Sequence, residues 1–151
     1  MSTVIEVVLD SIEKSDIKTV LNALLIGKDN VINISASEDE INVSTFFSNN
    51  SYLDDFFMSK SESTLLFLLK KITVGNVVIP NPLLRLVKYD TQFDIDFSFE
   101  NEVDVHQLHM GISCLLKGVN VKEFYAGLEP AQDIDTRFFT NQELGPYQIK
   151  N

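Results

Sequence analysis

Residues Gln92 to Phe99, QFDIDFSF, alternate without a break, with Phe93, Ile95, Phe97 and Phe99 interleaved by Asp94, Asp96 and Ser98. Successive strand side chains point to opposite faces, so one face of this segment is apolar and the other acidic. A parallel sheet is covered on both sides and its strands are apolar throughout. This segment therefore predicts an antiparallel sheet with one face in the core and the other, acidic face in water.

Its neighbours extend the sheet. Leu83 to Tyr89 (LLRLVKY) precedes it as the other arm of a hairpin, and Thr3 to Leu9 (TVIEVVL) opens the chain as a β-branched strand. Val31 to Ile34, Ile41 to Phe47, Thr64 to Lys70 and Val121 to Tyr125 also fit strands; Thr64 to Lys70, apolar on both faces, reads as a central strand, with a buried helix as the alternative its pattern leaves open. Gly75-Asn76 between Val74 and Val77 is a two-residue hairpin signal, and Pro80 and Pro82 at its exit place Val77 and Ile79 near a sheet edge. Ser35 to Glu40 and Ser48 to Ser51 read as exposed loops.

Helical periodicity is confined to three places. Ile17, Val20, Leu21, Leu24 and Leu25 draw one stripe, with Ser15 as the expected N-cap and Gly27 as the stop. A short helix headed by Ser51 puts Leu53, Phe56 and Phe57 on one side and leaves Asp54 and Asp55 wet. Asp104 with Gln107 forms a capping box, Val103 and Leu108 occupy the staple positions, and Val105, Leu108, Ile112, Leu115 and Leu116 form the buried stripe. The tail is irregular in pattern. Phe138, Phe139, Leu144 and Tyr147 make it a packed one. The expectation is an α+β fold: a single domain over residues 1–151, with an antiparallel sheet of about five to seven strands and helices on one face.

Charge restricts the partners. Lys plus Arg number 12 against 22 Asp plus Glu, a net of −10, which disfavours nucleic acid and anionic membranes and favours a basic protein. Asp90, Asp94, Asp96, Glu100, Glu102 and Asp104 form a stretch with no compensating cation. That stretch is either a solvated face or a landing site for a cationic partner, with Asp94, Asp96 and Glu100 as the expected contacts. The opening MSTVIEVVLD has no basic n-region, no apolar run approaches the roughly 20 residues of a membrane span, and Cys114 has no partner for a disulfide. These features predict a cytoplasmic protein.

Catalytic constellations are missing from the sequence. It has no phosphate loop, no paired-cysteine metal site and no nucleophile elbow. His106 and His109, with Asp104, form the best candidate for a zinc-dependent hydrolase, yet their spacing is not that of the common helical zinc motif. Cys114 beside Ile112 and Leu115 reads as a buried structural thiol. Arg137, among Glu129, Asp133 and Asp135 and next to two phenylalanines, is either an internal ion pair that pins the tail or part of a recognition surface. No enzyme, cofactor or metal is expected. Composition alone equally allows an acidic protein-interaction adaptor.

The tail carries a more specific signal. FYAGLEPAQDIDTRFFTNQELGP, Phe124 to Pro146, resembles the C-terminal signature of immunity proteins from contact-dependent growth inhibition systems, CdiI, of the group paired with DNase-type CdiA toxins. The match rests on Tyr125, Gly127, Leu128, Glu129 and Pro130, then Asp133, Thr136, Arg137, Phe138 and Phe139, then Leu144 to Pro146. The resemblance implies a protein that neutralises the C-terminal nuclease domain of its cognate CdiA, a basic DNase with or without a catalytic metal. It also implies β-augmentation, in which a toxin hairpin extends the sheet of the immunity protein. Whether the signature residues are structural or make contact is not fixed by the resemblance.

Overall fold

In a computed structural model of the protein, the described residues are 4–24, 26–36, 39–48, 51–58, 62–100 and 103–147. They form an α+β domain around one nine-stranded sheet. In chain order the strands are β1 (Ile5–Ile12), β2 (Val31–Ala36), β3 (Asp39–Ile41), β4 (Ser63–Leu69), β5 (Lys71–Val74), β6 (Val77–Pro80), β7 (Leu83–Tyr89), β8 (Gln92–Phe99), β9 (Val121–Leu128), β10 (Arg137–Thr140) and β11 (Glu143–Leu144). The helices are α1 (Ile17–Ala23), α2 (Val43–Ser48), α3 (Ser51–Met58) and α4 (Val105–Leu115). Strand order across the large sheet is β11-β10-β9-β1-β8-β7-β4-β2-β3, and β5 pairs with β6 in a separate two-stranded sheet. Every neighbouring pair is antiparallel. Nine strands plus two exceed the five to seven expected, because the tail contributes β10 and β11 and β3 lies across the charged stretch read as an exposed loop.

Alternation assigns the faces. Ile5, Val7 and Leu9 of β1 share one face with Phe93, Ile95, Phe97 and Phe99 of β8, Leu84 and Leu86 of β7, and Leu65, Phe67 and Leu69 of β4. All are buried in a single core with Ile17 and Val20 of α1, Leu24 at its C-cap, Phe46 of α2, Phe56 and Phe57 of α3, and Leu108 and Ile112 of α4. The β5–β6 hairpin joins the same core through Ile72, Val74 and Ile79. Helices and hairpin therefore lie on one side of the large sheet. Lys88, buried on this side, donates from Nζ to the carbonyl of Phe57 at 3.0 Å, a cation at the C-terminal end of α3.

Local chemistry explains the element ends. Asp104 accepts from the Gln107 N–H at 3.1 Å, as the capping box predicts, and Val103 and Leu108 are both buried beside it. Ser15 is not the cap of α1. A short 3-10 turn, Lys14–Asp16, leads into the helix, and the Asp16 carboxylate instead accepts from the Asn120 N–H at 2.8 Å. The strand expected over Ile41 to Phe47 is wrong beyond Ile41, since α2 occupies Val43–Ser48. Asn42 caps it by accepting from the Thr45 N–H at 3.0 Å, and tertiary packing of Phe46 overrides the β preference of Val43 and Thr45. Leu25 and the loop positions 37–38 and 49–50 lie outside the described residues.

Two glycines let the hairpin approach α4. Gly75 has φ of 60°, and a Cβ built on it would sit 2.8 Å from Gly111 Cα; a Cβ on Gly111 would sit 2.6 Å from the Val74 carbonyl oxygen. Both obstacles are backbone, which cannot yield as a side-chain tip can. Gly111→Ala is therefore expected to cost about 1–3 kcal/mol of stability, the usual range for overpacking, despite alanine's better helix propensity. Urea denaturation followed by circular dichroism measures this, with a lower midpoint expected.

Candidate functional site

The face of the large sheet away from the helices carries the charged residues of its central strands. Glu6 and Val8 of β1, Asp94, Asp96 and Ser98 of β8, and Leu83, Arg85 and Val87 of β7 point this way, with Val8 opposite Asp96 and Asp96 opposite Arg85. The expectation of a fully wet acidic face needs correction here. Glu6 and Asp96 are buried, at 6% and 7% exposure. Arg85 bridges them: Nε donates to Asp96 Oδ1 at 2.8 Å and one terminal nitrogen reaches Glu6 Oε2 at 3.4 Å. The same guanidinium stays about half exposed. Burial raises the Asp96 carboxyl above its ordinary value even though Arg85 opposes the shift. Its charge is thus spent within the protein, and Asp96 offers little to an incoming partner.

Asp94 is different. Its Oδ1 accepts from the Ser11 N–H at 2.8 Å, where Ser11 has φ of 55°, and Arg85 is not bonded to it. Burial, reinforced by Asp10 and Asp96, pushes its carboxyl up to about 6 from 3.8. A raised carboxyl holds its proton longer in the native state than in the unfolded chain, so its contribution to stability is present below about 4 and is lost as pH rises through 6. Asp94→Asn keeps an acceptor for Ser11 and removes the charge. The variant is expected to melt a few degrees higher than the parent at pH 7.5, with the difference closing by pH 4 in thermal melts.

Glu100 is exposed just past β8. It lines a depression of about 460 Å³ together with Pro80, Leu83, Ser98 and Glu129. A second depression of about 420 Å³ adjoins it, sharing Leu83, Ser98 and Glu129 and reaching Glu6 and Arg85. The structure thus brings Glu100 to Glu129 and Asp96 to Glu6, while Asp94 sits with Asp10 at the other end of the strand. Val77 and Ile79 belong to the separate hairpin, not to an edge of the large sheet. Val77 is half-buried and Ile79 is buried in the core, so in this hairpin Val78, 61% exposed, is the outward residue.

The signature residues form a clasp. Tyr125 and Gly127 lie in β9, opposite Val8 and Glu6 of β1. After Leu128 the chain turns through Glu129 and Pro130, and the Ala131 N–H donates to Glu6 Oε1 at 3.0 Å. Ala131 covers Val8 and Tyr125, making a small second core on this face. Asp133 caps a 3-10 turn, Ile134–Thr136, by accepting from the Asp135 N–H at 3.0 Å, and the Thr136 hydroxyl donates to the Asp133 carbonyl at 3.1 Å. Arg137 stacks over the Tyr125 ring at 3.8 Å and donates to the carbonyls of Ala131 and Gln132 and to the Thr140 hydroxyl. The ion pair considered for Arg137 is replaced by carbonyl and ring contacts; among the described residues no carboxylate pairs with it. Phe138 and Phe139 are buried, whereas Leu144 is 72% exposed against the expectation of a packed side chain.

The histidine pair is divided. His109 stacks on Phe139 at 4.3 Å and donates from Nε2 to the Asn141 carbonyl, while His106 faces solvent and Asp104 serves as the helix cap. Among the described residues no group of three potential ligands is placed to hold a metal. Cys114 is exposed, correcting the buried assignment: it follows Ile112 by about 200° around the helix axis, the side opposite the core. Glu6 and Arg85 are the residues that sequence reasoning missed. Their signal was a charge set at the outward position of a largely apolar strand, Glu6 in TVIEVVL and Arg85 in LLRLVKY.

Comparison with known proteins adds two findings. A family model described as PABL017 Cdi1I immunity protein matches residues 3–144. A chain of the 1.75 Å crystal structure of the toxic C-terminal tip of CdiA from Pseudomonas aeruginosa in complex with immune protein has the same fold, at TM-score 0.82 and 22% identity. The alignment covers 98% of this chain and 100% of that one. Among curated proteins none matches.

Proposed function

Because the chain belongs to the PABL017 Cdi1I immunity protein family, we propose that it protects the cell that makes it by binding, and so silencing, the toxic C-terminal tip of its cognate CdiA. The family match over residues 3–144 carries this reading. It acts in the cytoplasm and forms or breaks no covalent bond. Among the described residues no helix is long and apolar enough to cross a membrane.

Charge supplies the mechanism of approach. A toxin that cleaves nucleic acid needs cations to hold phosphates, and a protein of net charge −10 attracts such a surface. Glu100, Glu129 and Asp94, with Asp10 and Glu123, are acids of the open face that form no salt bridge among the described residues. Complementary charge speeds encounter and rejects partners of the wrong sign. Asp94 retains a carboxylate where burial disfavours one, a stability cost that a binding role for that charge explains. Strand addition, implied by the resemblance, would use the outer edge of β6 at Val78. The signature residues act as the clasp that fixes β9 and β10 beside this face.

Isothermal titration of the chain into the C-terminal domain of its cognate CdiA protein tests the reading. One-to-one binding with Kd of about 10⁻⁸ M or tighter is expected, as for a specific protein complex of standard size. Absence of binding at micromolar concentrations would overturn it. Incubating the free toxin domain with DNA and with RNA, each with and without divalent cation, identifies its class and metal need.

A further inference from the structure

The large sheet is covered unevenly on its open face. Over β9 and β1 the chain's own segment lies across it, and Val8 and Tyr125 are each 5% exposed beneath Ala131. Over β7 and β4 nothing among the described residues plays that part. Leu68 lies opposite Leu83 and Leu66 opposite Arg85, with Val87 two residues along the same face. Leu66, Leu83 and Val87 are half-buried and Leu68 is 38% exposed, although solvent-facing positions of a one-sided sheet are normally polar. Arg85, about half exposed, stands between Leu83 and Val87, and the aliphatic surface beside it, Leu66, Leu68 and Leu83 across two central strands, is the kind that marks a protein interface.

Its border says what covers it. Asp94 and Glu100 flank the patch along β8, and Glu129 stands beside Leu83 in the adjoining depressions. An apolar centre bordered by acids along β8 and at Glu129 fits a partner with an apolar side chain set beside lysines or arginines. The strand edges offer less. The outermost strands of the large sheet, β3 and β11, have three and two residues, and short edge strands resist pairing. The Asn30 side-chain amide occupies the outer edge of β5, donating to the Lys71 carbonyl at 2.6 Å and accepting from the Lys71 N–H at 3.1 Å. On β6, Pro80 has no N–H to give, so an added strand there pairs over a very short length.

We infer that the open face at β7 and β4, centred on Leu68 and Leu83, is the main docking surface for the toxin tip, which seats an apolar side chain there with basic residues facing Asp94, Glu100 and Glu129. Strand addition at β6 is then secondary. This inference rests on the immunity reading and goes beyond it in locating the contact on a sheet face.

Titration of wild-type chain, Leu68→Glu and Met110→Glu against the toxin domain separates the two ideas. Met110 is exposed on α4, on the helix side of the sheet, and is the control. Wild-type binding reports on the immunity reading; if it fails, both ideas fall. With wild-type binding intact, Leu68→Glu is expected to weaken affinity at least about 30-fold, a hot-spot effect, and Met110→Glu less than about 2-fold. Equal binding by wild type and Leu68→Glu overturns the face assignment alone. Should Leu68→Glu fail to fold, Leu68→Cys is labelled with a maleimide, with Cys114 on the helix side as internal reference. Toxin is expected to slow labelling at position 68 at least about 10-fold relative to Cys114; equal rates at position 68 with and without toxin overturn the assignment.

Discussion

Replacing Arg137 with alanine is expected to lower the melting temperature by about 6–12 °C while leaving toxin affinity unchanged at a temperature where the variant is folded. The guanidinium stacks on Tyr125 and satisfies two backbone carbonyls and the Thr140 hydroxyl. A hydrogen bond from a charged donor is worth about 1.5–3 kcal/mol and a cation–π contact about 0.5–2. The two longer bonds, 3.3 and 3.4 Å, are weak, so a total of about 3 kcal/mol is reasonable. For a domain of this size 1 kcal/mol moves the midpoint by about 2–4 °C. Scanning calorimetry measures the stability and titration the affinity. A drop in affinity at unchanged melting temperature would move Arg137 from the clasp to the interface.

Reversing Glu100 and Glu129 to lysine is expected to slow toxin association about 10- to 100-fold at low salt. Both are exposed, and neither takes part in an ion pair of the described structure, so reversal should leave the fold intact. The change replaces two negative charges with two positive ones at the rim of the depressions, reversing the local field that steers a cationic partner. The deficit should shrink strongly at 1 M salt, where the screening length falls to about 3 Å. Stopped-flow association rates against ionic strength check both parts. Asp96 is unsuitable for the same experiment. Reversing it would set a lysine against Arg85 in a buried site, and loss of binding would then report unfolding.

Where one physical rule dominates, the sequence could be read closely. The bounds of β7 and β8, Leu83–Tyr89 and Gln92–Phe99, coincide with the reading, because strict alternation and tight turns leave no second solution. The Asp104 cap was legible for the same reason. Failures came where two signals competed. Val43 to Phe47 is rich in β-branched and aromatic residues, yet Asn42 three residues before Thr45 was a usable N-cap signal. Strand β10 follows a capped turn that gives no hint of pairing, and its register with β9 shifts between Arg137 and Phe139.

The candidate site was legible only as an acidic face. Alternation placed Asp94 and Asp96 together, and the short hairpin turn sets Arg85 opposite Asp96, but neither could show that Glu6, distant in sequence, would join them in a buried cluster. Val77 and Ile79 were assigned to a sheet edge from prolines alone. Proline reports a missing N–H, and says nothing about which sheet a hairpin joins. The clasp could be recognised as a motif, while its bonds to carbonyls depend on Ala131 and Gln132 being turned towards Arg137 by the fold.

The most direct test is survival. Cells are induced to make the C-terminal domain of the cognate CdiA protein inside the cytoplasm, with or without this chain. The account predicts arrest of growth with the toxin domain alone and normal growth when the chain is present. Death of cells that contain folded chain in excess of toxin would contradict it.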